Sequence, residues 1–236
     1  MKAIILSAGI GSRLNPYTTD IPKCLVKVDG LEILAWQLKA LSNFDIEETI
    51  VVIGYKAELV KKTVKGYNVT FIENKNYATT SNLHSLKIAL VDVDDEILII
   101  NGDLVFERPI LTAILSSYCD NAVAVVKKSC DEEDMKVIIT PATDSYNARR
   151  IIEISKDIPI QIAKGQALGI YKIRDIDVLK EQLEVIEESN FFNEAINRMT
   201  GIAPVYAVDI TQFPSIEIDF PEDLKEANRL FKNKEK

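Results

Sequence analysis

The chain has 236 residues, 47% hydrophobic and 27% charged, which leaves ample length for a buried core and is unlike disordered, collagenous or disulfide-scaffold sequences. Asp and Glu outnumber Lys and Arg by 36 to 28, so a broad electrostatic footprint for nucleic acid or an anionic membrane is missing, and a polyanion must find a local positive site. The three scattered cysteines (24, 119 and 130), with no CxxC and with His84 as the one histidine, argue against zinc and for a reducing cytoplasm.

Short β-rich runs alternate with amphipathic segments from the start. Ala3–Leu6 reads as a strand, Ile33–Leu41 as a helix, Ile50–Ile53 as a strand and Ala57–Val64 as a charged helix. Strand Val69–Ile72, helix Ser81–Leu90, strand Ile97–Ile100, helix Pro109–Ser117 and strand Ala122–Val126 continue the pattern. This βαβα order predicts a largely parallel sheet covered by helices. Strands at Val137–Thr140, Ala148–Ile154 and Ala167–Ile173, separated by polar turns, are expected to add antiparallel members to the same sheet. Helices at Ile176–Glu187 and Phe191–Arg198 follow, then strands at Val205–Val208 and Ile216–Ile218, and a last helix opened by Pro221. No apolar run is long enough to span a membrane or to form a signal peptide, and no linker or repeat divides the chain, so residues 1–236 are expected to form one domain.

The first strand runs into Leu6-Ser-Ala-Gly-Ile-Gly-Ser-Arg-Leu14, a glycine turn at the carboxyl end of a parallel strand, where open α/β sheets bind ligands. Gly9 and Gly11 let backbone N–H groups approach a phosphate, and Arg13 adds a forked cation; a tight turn with an exposed Arg is the plainer alternative. A dinucleotide-binding turn would place a third glycine where Leu14 stands, and Pro16 follows soon after. A GxxxxGK[ST] loop does not occur. The segment instead ends in Ile21-Pro-Lys-Cys-Leu25, which delivers Lys23.

The combination of Leu6-Ser-Ala-Gly-Ile-Gly-Ser-Arg13 with Pro22-Lys23-x-Leu25 resembles the signature of the nucleotidyltransferase family that includes sugar-1-phosphate nucleotidyltransferases and phosphocholine cytidylyltransferases. The resemblance implies a three-layer Rossmann-like α/β fold with a mixed, mostly parallel central sheet. It implies that Leu6, Ala8, Gly9, Gly11 and Arg13 cradle a nucleoside triphosphate whose phosphates Lys23 touches. Asn101-Gly-Asp103 matches the element whose Asp ligates magnesium, and Glu217-Ile-Asp219-Phe-Pro-Glu-Asp-Leu224 matches the element that supplies a second carboxylate from Asp219. Two carboxylates plus substrate phosphates are an ordinary provision for Mg²⁺. A turn at Gly-Asp and helix capping by Asp219 remain the plain alternatives for each taken singly.

The resemblance also places Ser81 and Asn82 beside the base and ribose, with N-capping as a compatible second role. It places Lys156 on the acceptor phosphate, and Glu153, Gln166 and Glu194 on the acceptor side, although Gln166 stands where relatives often carry an acid. Phe220 departs from the usual Thr or Ser of its element. The compact length and the Asn74-x-x-Tyr77 segment point toward the cytidylyltransferase branch, hence CTP as donor and a small phosphorylated or phosphonate acceptor as partner, with a homodimer allowed. Aromatic residues are only 7%, and the sole Trp36 lies in a helix, so nothing favours a quaternary amine acceptor over a phosphorylated sugar alcohol, amide or phosphonate. The alternatives are a sugar-1-phosphate uridylyl-, thymidylyl- or guanylyltransferase, and a catalytically silent nucleotide-binding subunit on the same fold.

Overall fold

The computed structural model describes residues 1–141 and 149–234. The chain begins with β1 (Lys2–Ser7), makes 3-10 turns at Ser12–Leu14 and Lys23–Leu25, and forms a small hairpin of β2 (Lys27–Val28) and β3 (Leu31–Glu32) before α1 (Ile33–Leu41). It continues through β4 (Glu48–Ile53), α2 (Ala57–Thr63), β5 (Thr70–Glu73), α3 (Asn82–Ala89), β6 (Ile97–Asn101), β7 (Leu104–Phe106), α4 (Arg108–Leu115) and β8 (Ala122–Val126). The remainder is β9 (Lys136–Ile139), β10 (Arg149–Ser155), β11 (Gln166–Ile173), α5 (Ile176–Glu184), α6 (Asn193–Met199), β12 (Tyr206–Asp209), β13 (Ser215–Glu217) and α7 (Pro221–Leu230).

Nine strands form one sheet among the described residues, in the order β5-β4-β1-β6-β11-β8-β12-β10-β9. The run β5-β4-β1-β6 is parallel throughout; β11 and β10 run against their neighbours, and β12 is parallel to β8, so seven of the nine strands point the same way. The sheet is mixed and mostly parallel, as expected. Alternation along the strands divides the core between the two faces. Ile4, Ile50, Val52 and Ile99 pack with Leu83 and Leu86 of α3 and Leu179 of α5, whereas Ala3, Ile5, Val51 and Ile100 pack with Leu34 and Leu38 of α1 and Ile110 of α4. Because both faces are covered, the central strands are continuously apolar, and the architecture is three layers.

Three elements lie outside the sequence expectation. The β2–β3 hairpin and β7 are too short to leave a periodic signal, and α5 stops at Glu184 rather than continuing to residue 187. Past that end the chain turns back toward α3: Ser81 donates its backbone N–H to the Glu188 carbonyl at 3.1 Å. Residue Ala148, the expected start of one strand, lies outside the described residues; the strand is described from Arg149.

The strand order reverses at β1, whose successor β4 lies on one side while β6 lies on the other. Ligands in open α/β sheets bind in the crevice outside the carboxyl ends of the strands at such a point. Here the loops that follow β1 and β6 line that crevice.

Candidate active site

The loop after β1 is shaped by close backbone approaches. Gly102 donates its N–H to the Leu6 carbonyl at 3.0 Å, and a Cβ at residue 102 would stand 2.5 Å from that carbonyl oxygen, so only glycine lets the two loops meet. Gly11 adopts φ +74°, and a Cβ there would lie 2.7 Å from Lys23 Cβ, which fixes the loop directly over Lys23. A Cβ on Gly9 would meet nothing within 4 Å; this residue borders open space. The cavity that results has a volume of about 330 Å³.

Two carboxylates are brought together by a ribbon of which only the second strand, at Ile216–Ile218, was expected from the sequence. β7 pairs antiparallel with β13, with Leu104 opposite Glu217, so Asp103 just before one strand and Asp219 just beyond the other lie at the same end. Ile218 donates its N–H to the Asp103 carbonyl at 3.0 Å and locks that end. From below, the fully buried Gln37 of α1 donates through Nε2 to the carbonyls of Asn101 and Leu104, each at 2.8 Å, and holds the turn that carries Asp103. On the other strand, Asp223 at the start of α7 accepts from the N–H groups of Asp219 (2.9 Å) and Phe220 (2.7 Å), a helix cap that also orients Asp219.

Lys23 Nζ sits between the two, 2.9 Å from Asp103 Oδ2 and 2.6 Å from Asp219 Oδ1. Arg13 approaches Asp219 Oδ1 at 2.9 Å, and its guanidinium lies 5.3 Å from the centroid of the Phe220 ring, so the departure at residue 220 supplies a cation–π face. Burial by itself would depress the Lys23 ammonium, but Asp103 and Asp219 override it and hold its pKa above the ordinary value. Burial likewise would raise Asp219, and Lys23, Arg13 and Lys156 more than offset it, holding the carboxyl below its ordinary value. Asp103 Oδ1 is buried without a hydrogen-bond partner. An unpaired carboxylate oxygen at such depth is costly unless something binds it. Behind the pair, Glu217 is half-buried and accepts from Gln166 Nε2 at 2.8 Å; desolvation and the neighbouring Asp103 and Asp219 push its carboxyl up to about 8.

The opposite wall is the start of α3. Ser81 Oγ accepts from the Leu83 N–H at 3.1 Å and donates to the Glu188 carbonyl at 2.9 Å, while Asn82 Oδ1 accepts from the Phe192 N–H at 3.1 Å. Ser81 therefore caps the helix, and both residues anchor the 188–192 segment and face the cavity. Asn74, buried beneath them, donates to Thr80 Oγ1 at 3.2 Å and Ser85 Oγ at 3.0 Å.

Of the residues singled out from the sequence, Leu6, Ala8, Gly9, Gly11, Arg13, Lys23, Ser81, Asn82, Asp103 and Asp219 all line this one cavity. Lys156 stands outside its lining, ion-paired to Glu133 at 3.3 Å, and Glu133 in turn reaches Arg13 at 3.5 Å. Gln166 is buried against Glu217 rather than in the cavity, Glu153 is half-buried in the middle of β10, and Glu194 pairs with Arg198 on α6 at 3.2 Å. Sequence reasoning gave no site role to Glu133, Glu217 or Ser85, and took Asn74 and Tyr77 only as a segment pointing to the cytidylyltransferase branch. Glu217 stands two residues before Asp219, so a motif reading had the means to find it; Glu133 carries no local signal, since its partners are 120 and 23 residues away.

A chain-family comparison matches residues 3–184 to the MobA-like NTP transferase domain. Among individual relatives, a CMP-5'-(3-aminopropyl)phosphonate synthase of Streptomyces rubellomurinus is 32% identical over 128 residues, covering 52% of this chain but only 20% of that protein. A CTP:phosphoglutamine cytidylyltransferase of Campylobacter jejuni is 27% identical over 209 residues, covering 84% of this chain and 79% of that protein. Other relatives are named for uridylyl and guanylyl transfer. In fold, the inositol-1-phosphate CTP transferase of T. maritima matches with a TM-score of 0.81 at 22% identity, covering 98% of this chain and 96% of that one.

Proposed function

Since the chain belongs to the family of MobA-like NTP transferase domains, and thus to the nucleotidyltransferases, we propose that it transfers CMP from CTP to a small phosphorylated or phosphonate acceptor and releases pyrophosphate. The observation that carries the reading is the convergence of Arg13 and Lys23 on Asp103 and Asp219 at the mouth of a cavity built on a glycine loop. Cytidine is preferred because two relatives carry it in their names, a CMP-5'-(3-aminopropyl)phosphonate synthase and a CTP:phosphoglutamine cytidylyltransferase.

The chemistry asks little covalent work of the protein. A phosphate monoester has a second pKa of about 6, so the acceptor oxygen is already ionised near neutrality and needs no general base. The obstacle is repulsion: two unit charges about 4 Å apart cost roughly 4 kcal/mol at an effective dielectric near 20. Lys23 and Arg13 offset it on the donor phosphates, and Lys156 does so on the acceptor. Glycine-loop N–H groups orient the triphosphate so that the acceptor oxygen meets the α-phosphorus in line with the leaving pyrophosphate. Ser81, Asn82 and the Ala8 loop frame the base and ribose.

The donor set fits a divalent magnesium ion: two hard carboxylates, one of which has a buried oxygen with no partner in the chain. Asp103 and Asp219 would hold it, and when bound it neutralises phosphate charge. Two protein carboxylates suffice, because Mg²⁺ commonly completes its shell with substrate phosphates and water. The reading is tested by a matrix of the common nucleoside triphosphates against phosphocholine, phosphoglutamine, inositol-1-phosphate and 3-aminopropylphosphonate, scored by pyrophosphate release. Release with CTP and one such acceptor supports it; release with UTP or GTP alone moves the chain to another branch, and release with no pair overturns it.

A further inference from the structure

Glu133 places a carboxylate between the two cations at the edge of the cavity. Its Oε2 lies 3.5 Å from Arg13 NH1 and 3.3 Å from Lys156 Nζ, and the side chain is 66% exposed. Ion pairs this exposed stabilise the fold little. The turn that presents the residue is nonetheless heavily braced. Lys136 is fully buried, and its ammonium donates to the carbonyls of Asp131 (3.0 Å), Glu132 (3.2 Å) and Asp134 (3.3 Å), which bracket Glu133 on both sides. Asp131 Oδ1 accepts from the N–H groups of Glu133 (2.9 Å) and Asp134 (3.1 Å), and Asp134 takes the Asp131 N–H at 2.8 Å and Lys128 Nζ at 2.9 Å.

A buried ammonium is costly to desolvate, and here its hydrogen bonds are spent on fixing the backbone of a surface turn. The turn contributes one carboxylate aimed away from its own bracing, toward Arg13 and Lys156. A fixed acid shared by two cations that the proposed function assigns to phosphates needs a reason beyond stability.

We propose that Glu133 determines acceptor specificity as a resident, displaceable anion: it occupies the place between Arg13 and Lys156 that the acceptor's phosphoryl or phosphonyl group takes, so that a dianion displaces it and a monoanion does not. The inference rests on the proposed role of Lys156 on the acceptor and extends that of Arg13 from the donor phosphates to the acceptor as well, since its NH2 faces Asp219 at 2.9 Å while its NH1 faces Glu133 at 3.5 Å. A carboxylate ligand offers those cations the same single charge as the tethered Glu133 and gains nothing by the exchange. A phosphoryl group above its second pKa of about 6 offers two charges and wins. No bond is made or broken in this step; one anion replaces another on the same two cations.

The test is a titration of inorganic phosphate, and of acetate as the monoanion, into wild type and Glu133→Gln by calorimetry at pH 7.5, with Lys156→Ala as the control that removes one of the two cations and melting curves to establish that each variant is folded. Two exposed ion pairs removed correspond to about a fivefold change in affinity. Glu133→Gln is expected to bind phosphate about fivefold more tightly than wild type and to admit acetate that wild type excludes. Lys156→Ala is expected to lose phosphate affinity. Unchanged or weakened phosphate binding in folded Glu133→Gln would overturn the inference, because Glu133 would then be a mere counter-charge or an organiser of the cations. The titration is read without turnover, so its failure is distinct from failure of the nucleotidyltransferase reading, which shows as absence of pyrophosphate release.

Discussion

Replacing Lys23 by methionine keeps an apolar stem out to Cε and deletes the ammonium that Asp103 Oδ2 and Asp219 Oδ1 share at 2.9 and 2.6 Å. Lys23 is 13% exposed and the two carboxylates 30%, which places the pairs between the buried and the surface regimes. Breaking a buried pair costs about 3–5 kcal/mol and an exposed one about 0–1. Asp219 keeps Arg13 at 2.9 Å, so Asp103 bears most of the loss, and a net cost of about 2 kcal/mol follows from the intermediate burial. In a chain of this size that is a Tm lower by about 4–8 °C, measured by circular dichroism in EDTA at pH 7.5. Magnesium added to Lys23→Met then meets two carboxylates with no ammonium between them. The variant is expected to regain more Tm on magnesium titration than wild type gains. A variant that melts within about 1 °C of wild type in EDTA, or that responds to magnesium no more than wild type, would refute the claim that Lys23 is the principal counter-ion of this carboxylate pair.

Gly102→Ala would drive a Cβ to 2.5 Å from the Leu6 carbonyl and 2.9 Å from Ser7 Cα, and the strain of forcing two backbones apart is expected to cost about 2 kcal/mol, checked by urea denaturation. Lys156→Ala, at a half-exposed position, is expected to leave Tm within about 2 °C while raising the acceptor KM about tenfold or more, checked by steady-state kinetics. Glu217 provides a pH test. Its carboxyl is raised from about 4.5 to about 8, so between those values the folded chain keeps a proton that the unfolded chain has released. Its contribution to stability is therefore full below about pH 4.5 and declines as pH rises toward about 8. Glu217→Gln, which keeps an acceptor for Gln166, is expected in EDTA to lose less Tm than wild type between about pH 5 and pH 8; parallel melting profiles would show that Glu217 does not titrate there.

Much of the fold was legible because apolar runs of strand length alternate with amphipathic helices. Ile33–Leu41 is helical over the range its pattern predicts, and Pro221 opens the last helix as its fixed φ favours. The cavity was legible through two motifs, since Leu6–Arg13 and Lys23 are close in sequence and their glycines have a steric purpose. The pairing of Asp103 with Asp219 came only through the family resemblance: of the β7–β13 ribbon that joins them, only the second strand was expected, at Ile216–Ile218, and the three-residue β7 is too short for a period to register. Lys136 stands one residue before the strand expected at Val137–Thr140 and carries no sequence signal of its own; only the folded chain turns its ammonium inward onto the 131–134 carbonyls. The acceptor-side assignments depend on side chains that converge across long sequence separations, and there Gln166 and Glu194 find partners other than the cavity.

The central claim is that Asp103 and Asp219 serve phosphate chemistry at this cavity. It is tested most directly by pyrophosphate release from CTP, in the presence of magnesium and the acceptor that the matrix selects, by wild type and Asp103→Ala. The account predicts release that requires both CTP and acceptor and that falls at least about 100-fold in a folded Asp103→Ala protein, the scale of losing a transition-state electrostatic partner. Release that persists undiminished in that variant, or that proceeds without any acceptor, would contradict it.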